Sequence, residues 1–151
     1  MHFSSTVAIE APPALVWDVL TDLPAWPTWN TTVVSTEGEV RLGAKVAVTV
    51  TANPGRTFPV TVTEIDAPHH MVWRGGMPLG LFAGTRTYSL TADGDGTTFA
   101  MEESYSGVMA GLVTRSIPDL TASFDEFAAC LKARAESGTA GSCPEAWSCR
   151  T

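Results

Sequence analysis

The chain has 151 residues and a formal charge of −7, with 44% apolar and 17% charged side chains. That length suits one domain with its own core, and the composition is that of an ordinary globular protein. Only 9 Lys and Arg are present and they are scattered, so neither a nucleic acid nor an anionic membrane is an expected partner. No apolar run reaches the length of a membrane span, so membrane insertion is not expected. The first residues, MHFSSTVAIEA, show no basic stretch followed by an apolar one, and the expected location is cytoplasmic.

In chain order, Phe3 to Glu10 is predicted to be a strand, stopped by Ala11-Pro12-Pro13. Proline suits the first turn of a helix, so Ala14 to Thr21 reads as a short helix burying Val16 and Leu20, with Trp17 beside them. Leu23 to Trp29 reads as a second short helical turn behind Asp22. Trp17, Trp26 and Trp29 either seal one end of the core or form a pocket wall, and the first reading is preferred because large aromatics so often serve as core.

From Thr31 the pattern changes to a period of two. Strands are predicted at Thr31 to Val40, Lys45 to Ala52, Phe58 to Ile65, His69 to Met77, Thr85 to Ala92 and Thr97 to Ser106. Arg41 to Ala44, Asn53-Pro54-Gly55, Ala67-Pro68 and Asp93-Gly94-Asp95-Gly96 separate them as turns. The glycine-rich stretch Gly75 to Gly84 reads as a loop or a bent, bulged edge.

The last element is Leu112 to Glu136. Val113, Ile117, Leu120, Phe124, Phe127 and Leu131 step by three or four, which is the spacing of an amphipathic helix. Asp125, Glu126, Lys132 and Glu136 fall on the opposite, water-facing side. The unbroken stripe favours one helix kinked at Pro118 over a helix that begins there. Residues 1–137 would form the domain, and 138–151 a flexible tail with free thiols at Cys143 and Cys149. Cys130, in the helix, would pack as a small hydrophobe.

Six strands in hairpin succession make an antiparallel meander, and one long amphipathic helix is available to cover it. The fold class is therefore α+β, a bent antiparallel sheet of about seven strands around a long C-terminal helix, with two short helices after the first strand. The sequence holds no P-loop, no dinucleotide glycine fingerprint, no G-x-S-x-G and no H-E-x-x-H. His69 and His70 are adjacent in a strand and point to opposite faces, so a metal site is not expected there. No cofactor is expected.

Phe99, Met101 and Leu90 mark the helix-facing sides of the last two strands. By the period of two, Glu103 and Tyr105 share the face of Phe99, and Arg86 and Tyr88 that of Leu90. Arg86 and Glu103 then point inward on neighbouring strands. They form either a structural ion pair or a polar anchor for a ligand's carboxylate or phenol. Trp73 would line the same space, with Leu120, Phe124 and Phe127 from the helix. Arg74 and Glu102 point the other way, toward solvent.

The element order, with Ile9 to Thr31 (IEAPPALVWDVLTDLPAWPTWNT), Val72-Trp73-Arg74-Gly75, Gly80 to Gly84 (GLFAG) and Glu102 to Gly107 (EESYSG), resembles the helix-grip fold of the START/SRPBCC superfamily. That superfamily includes polyketide cyclase/dehydrase-like proteins. The resemblance covers Phe3 to about Ser137 and implies a cavity between sheet and helix for a small hydrophobic or aromatic molecule of lipid, polyketide or phenolic type. Second to binding comes the alternative of a polyketide aromatase/cyclase or dehydratase using the same cavity, with Arg86, Glu103 and Tyr105, taken from the strand pattern, as the candidate catalytic groups. An interaction domain is the third possibility, and it would show a filled core and an exposed apolar patch.

Overall fold

A computed structural model of the chain describes residues 2–51, 55, 57–77, 81–113, 115 and 120–137. Strand β1 (His2–Ile9) leads into helix α1 (Pro13–Thr21), a 3-10 turn (Leu23–Ala25) and helix α2 (Trp26–Trp29). Strands β2 (Val33–Glu37), β3 (Lys45–Val50), β4 (Thr57–Asp66), β5 (His70–Met77), β6 (Phe82–Asp93) and β7 (Gly96–Ser106) follow, then helices α3 (Ala110–Val113) and α4 (Thr121–Ser137).

The seven strands form one antiparallel sheet in the order β1-β7-β6-β5-β4-β3-β2. The meander is thus the expected one, and β1 joins it on the free side of β7. The architecture is the α+β helix-grip type: a curled sheet holding the C-terminal helix. Proline at the start of α1 costs nothing, since the first helical N–H groups have no partner within the helix. Its apolar side buries Val16, Trp17 and Leu20.

Helix α4 buries Phe124, Phe127, Ala128, Cys130, Leu131 and Ala135. Its polar residues do more than face water. The Ser5 hydroxyl donates to Asp125 Oδ1 at 2.8 Å, and Lys132 Nζ donates to the Ala8 carbonyl at 2.9 Å. The Glu10 backbone N–H donates to Glu136 Oε2, also at 2.8 Å. These bonds fasten the helix along β1.

Three expectations are corrected. The helix does not run continuously from Leu112. A four-residue turn, Ala110–Val113, precedes it, Leu120 is not helical, and α4 begins at Thr121. Proline lacks an N–H and disfavours helical backbone in the residue before it, which opposes a continuous helix despite the stripe. Second, Gly75 to Gly84 is not one loop. The β5–β6 ladder continues through Gly75↔Gly84, Gly76↔Ala83 and Met77↔Phe82. Third, Cys130 is fully buried as expected but is disulfide-bonded, so its sulfur is not a thiol. The expectations placed on Ile117, Pro118, Asn53-Pro54 and the 138–151 tail, including Cys143 and Cys149, lie outside the described residues.

Candidate functional site

Strand register builds the site. Phe3 lies opposite Glu103, Glu103 opposite Arg86, Arg86 opposite Trp73, and Trp73 opposite Val62. This row crosses five strands on the face turned toward α4. Beside it, Tyr105 lies opposite Gly84 and Met101 opposite Tyr88. Gly84 gives Tyr105 its room: a Cβ there would sit 3.2 Å from the phenol ring. Tyr105 stacks on Phe82 at 5.7 Å.

Arg86 Nε donates to Glu103 Oε1 at 3.0 Å, and the Tyr105 hydroxyl donates to Glu103 Oε2 at 2.5 Å. The guanidinium carbon lies 4.9 Å from the centre of the Phe124 ring, in cation–π contact. The Arg86 and Glu103 side chains are 22% and 14% exposed, so the pair is shielded from water without being dry. Burial pulls the Arg86 pKa down, but the charge of Glu103, with Tyr88 and the hydrogen bonds to both, together outweighs this, so the pKa is raised and Arg86 stays cationic. Burial pushes the Tyr105 phenol up, and the adjacent Glu103 carboxylate pushes it further. Burial also raises Tyr88, against the opposing pull of Arg86.

The space between sheet and helix is small, about 50 Å³. Aromatic side chains fill the remainder. Trp26 stacks on Trp73 at 5.7 Å and meets Phe127 edge-on at 5.2 Å. Tyr88 packs between Trp73 and Phe99, and Phe127 touches Trp29, Tyr88 and Phe99 as well. Trp26 and Trp29 are therefore core, as preferred from the sequence.

Of the residues singled out from sequence, Arg86, Met101, Leu120, Phe124 and Phe127 line this cavity. Glu103 and Tyr105 join it through their bonds to Arg86 and to each other, while Trp73 and Tyr88 belong to the aromatic packing behind it. Thr32, Val50 and Ser123 also line it and were missed. Ser123 lies three residues after Leu120, so helical spacing contained that signal. Thr32 and Val50 come from the far edge of the sheet, which local pattern does not bring near Arg86.

Among the described residues two buried donors, Trp73 Nε1 and Asn30 Nδ2, have no hydrogen-bond partner. The Arg86 guanidinium interacts with the Tyr88 hydroxyl as well as with Glu103. A donor-rich interior of this kind suits a guest that brings oxygen acceptors. Among the described residues no three His, Cys, Asp or Glu side chains group as metal ligands. Among the described residues no helix is long and apolar enough to cross a membrane.

A family model described as polyketide cyclase/dehydrase and lipid transport matches residues 1–136. The oxopyrrolidines biosynthesis cluster protein O of Penicillium oxalicum is 34% identical over 85 residues, covering 44% of this chain and 42% of that protein. The match thus spans less than half the length of that relative. The Zhui aromatase/cyclase from a Streptomyces species superposes with a TM-score of 0.70 at 16% identity, over 94% of this chain and 98% of that one. A START superfamily protein from Mycobacterium smegmatis gives a TM-score of 0.66 at 15% identity, over 91% and 99%. At these identities the structural likeness is one of fold. The match of the family model over nearly the whole chain identifies the protein as a member of the polyketide cyclase/dehydrase and lipid transport family.

Proposed function

We propose that the protein binds a small aromatic or otherwise hydrophobic molecule, of polyketide, lipid or phenolic type, between the sheet and α4, with Arg86 as its polar anchor. The observation that carries this reading is the position of Arg86: a shielded cation lining a cavity whose other walls are mostly apolar. A guanidinium has five N–H donors, and a ligand carboxylate, phenolate or carbonyl in the cavity would add an acceptor for them. Phe124, Phe127 and Met101 supply the apolar contact.

A cavity of about 50 Å³ is far below the 300–1,000 Å³ of ordinary ligand sites. The occupied form therefore requires movement. Leu120 and Ser123, at and just before the first turn of α4, form one side of the cavity, so displacing that turn enlarges it.

The enzymatic alternative, ring closure or dehydration on a polyketide-like substrate, is favoured by one feature: Tyr105, Glu103 and Arg86 form a continuous hydrogen-bonded set beside the cavity. With its pKa raised, Tyr105 keeps its proton and would serve only as an acid. The binding reading is preferred because it needs no proton to leave this set.

The test is calorimetric titration with 2-naphthoate, with native mass spectrometry for any co-purifying compound. The wild-type chain should bind 2-naphthoate, and Arg86→Met with Glu103→Gln should weaken binding at least tenfold while retaining the fold. Equal binding by both chains would overturn the role of Arg86. A β-polyketone thioester converted by the wild-type chain, but only bound by Tyr105→Phe, would favour the enzymatic alternative.

A further inference from the structure

The register that turns Trp73 and Val62 inward turns Arg74 and Thr61 outward, and the buried Val46 leaves Lys45 on the outer face. Lys45 lies opposite Thr61, and Thr61 opposite Arg74. An ammonium, a hydroxyl and a guanidinium thus stand in one row across three strands. Strands two apart are separated by about 10 Å, a span that Lys and Arg side chains can close onto a single anion.

Beyond Arg74 the ladder between β4 and β5 ends. Gly75 and Gly76 follow, and both positions exclude a side chain. A Cβ on Gly75 would lie 2.8 Å from the Pro59 carbonyl oxygen, and one on Gly76, at φ +143°, would lie 2.3 Å from that of Phe82. A groove of about 610 Å³ opens here, with the outward-facing Pro59 and Ala83 as its apolar part and Lys45, Thr61 and Arg74 as its polar part. No Asp or Glu lines it. Lys45 and Arg74 are exposed and neither forms a salt bridge among the described residues, in a chain of net charge −7. Two unpaired cations facing one carboxylate-free groove form a local positive field on an otherwise acidic molecule.

We propose that this outer groove is a second binding site, separate from the space beneath α4, for a free phosphate-monoester amphiphile. The phosphate sits across Lys45, Thr61 and Arg74, with Arg74 donating in bidentate fashion, and the aliphatic or aromatic body lies on Pro59 and Ala83.

The probe is octyl phosphate below its micelle concentration, titrated calorimetrically at low salt. Wild-type protein should bind it, and Lys45→Met with Arg74→Met should weaken binding at least tenfold. Octanol should bind at least tenfold more weakly than octyl phosphate, and raising the salt should weaken octyl phosphate binding. Lys45→Gln with Arg74→Gln serves as the replacement pair if the methionine variant does not fold. Unchanged affinity in the folded variant would overturn the proposal, as would displacement of octyl phosphate by 2-naphthoate, which would put the probe in the inner space. Equally strong co-sedimentation with phosphatidic acid vesicles would also overturn it, in favour of a membrane surface.

Discussion

Arg86 and Glu103 lie directly opposite each other on β6 and β7, joined at 3.0 Å, and Glu103 takes its second bond from Tyr105 on its own strand. The carboxylate is thus shared between a cation and a phenol. Removing Arg86 alone leaves Glu103 with only the neutral Tyr105, and removing Glu103 alone leaves a shielded cation with only the Phe124 ring and the Tyr88 hydroxyl.

Since either change leaves a shielded charge with neutral partners only, Glu103→Gln and Arg86→Met should each destabilise by about 1–3 kcal/mol, and the double variant by less than the sum. A double-mutant cycle in urea measures it. Additive losses below about 0.5 kcal/mol would mean the pair is solvated and contributes nothing by being coupled.

Phe127 touches Trp26, Trp29, Tyr88 and Phe99 and is 3% exposed. Phe127→Ala should cost about 3–5 kcal/mol, since so many rigid rings cannot collapse into the void. Phe124→Ala should also destabilise, and it should lower the affinity for 2-naphthoate, because Phe124 lies both under Arg86 and on the cavity. Chemical denaturation curves of both variants test this, and losses under about 1 kcal/mol would contradict the core assignment.

The chain has two tyrosines, and burial raises both pKa values, with Glu103 adding to the rise. A folded pKa above the unfolded one gives stability that is complete below the unfolded pKa, near about 10, and is lost as pH rises through the folded pKa. Ultraviolet titration of the phenolate band should therefore show no ionisation in the folded protein at pH 10, whereas the urea-unfolded chain is half ionised there. Tyr105→Phe should flatten the alkaline loss of stability. Ionisation of either tyrosine at its ordinary value in the folded protein would refute the geometry.

Burial opposes ionisation of Glu136, but its bonds to Lys132 and to the Glu10 N–H prevail and lower its pKa. That contribution is present above the unfolded carboxylate pKa and is lost as pH falls through the folded value. Glu136→Gln should cost less than about 1 kcal/mol at neutral pH. In acid-denaturation curves the difference from wild type should shrink as the pH falls and vanish below the lowered folded value, where both carry a neutral side chain.

The sheet was legible because alternation leaves one residue choice per face. Phe99, Met101 and Leu90 fixed the inner side, and Glu103 and Arg86 followed by counting in twos. The start of α4 was less legible. Side-chain spacing continues through Val113, Ile117 and Leu120, although the backbone at Leu120 is not helical. A stripe reports which residues seek the core and does not report whether their hydrogen bonds are continuous. The size of the cavity was not legible at all. It depends on how Trp26, Trp73, Tyr88, Phe99 and Phe127 interlock, and these come from four different strands or helices besides α4.

Strand β1 has one neighbour in the sheet, β7, and pairs with it from His2↔Ser104 to Ile9↔Thr97. Strand β1 therefore waits for β7, the last strand of the sheet in chain order. Until β7 emerges, β1 has no ladder to join, and closing a loop of that length costs chain entropy before any contact is gained. Helix α4, fastened along β1 through Ser5, Ala8 and Glu10, cannot dock before that closure. Assembly of the ligand-holding interior should thus be a late event in folding, and chains that stop short of Ser106 should expose β1 as an unpaired edge open to association with other chains.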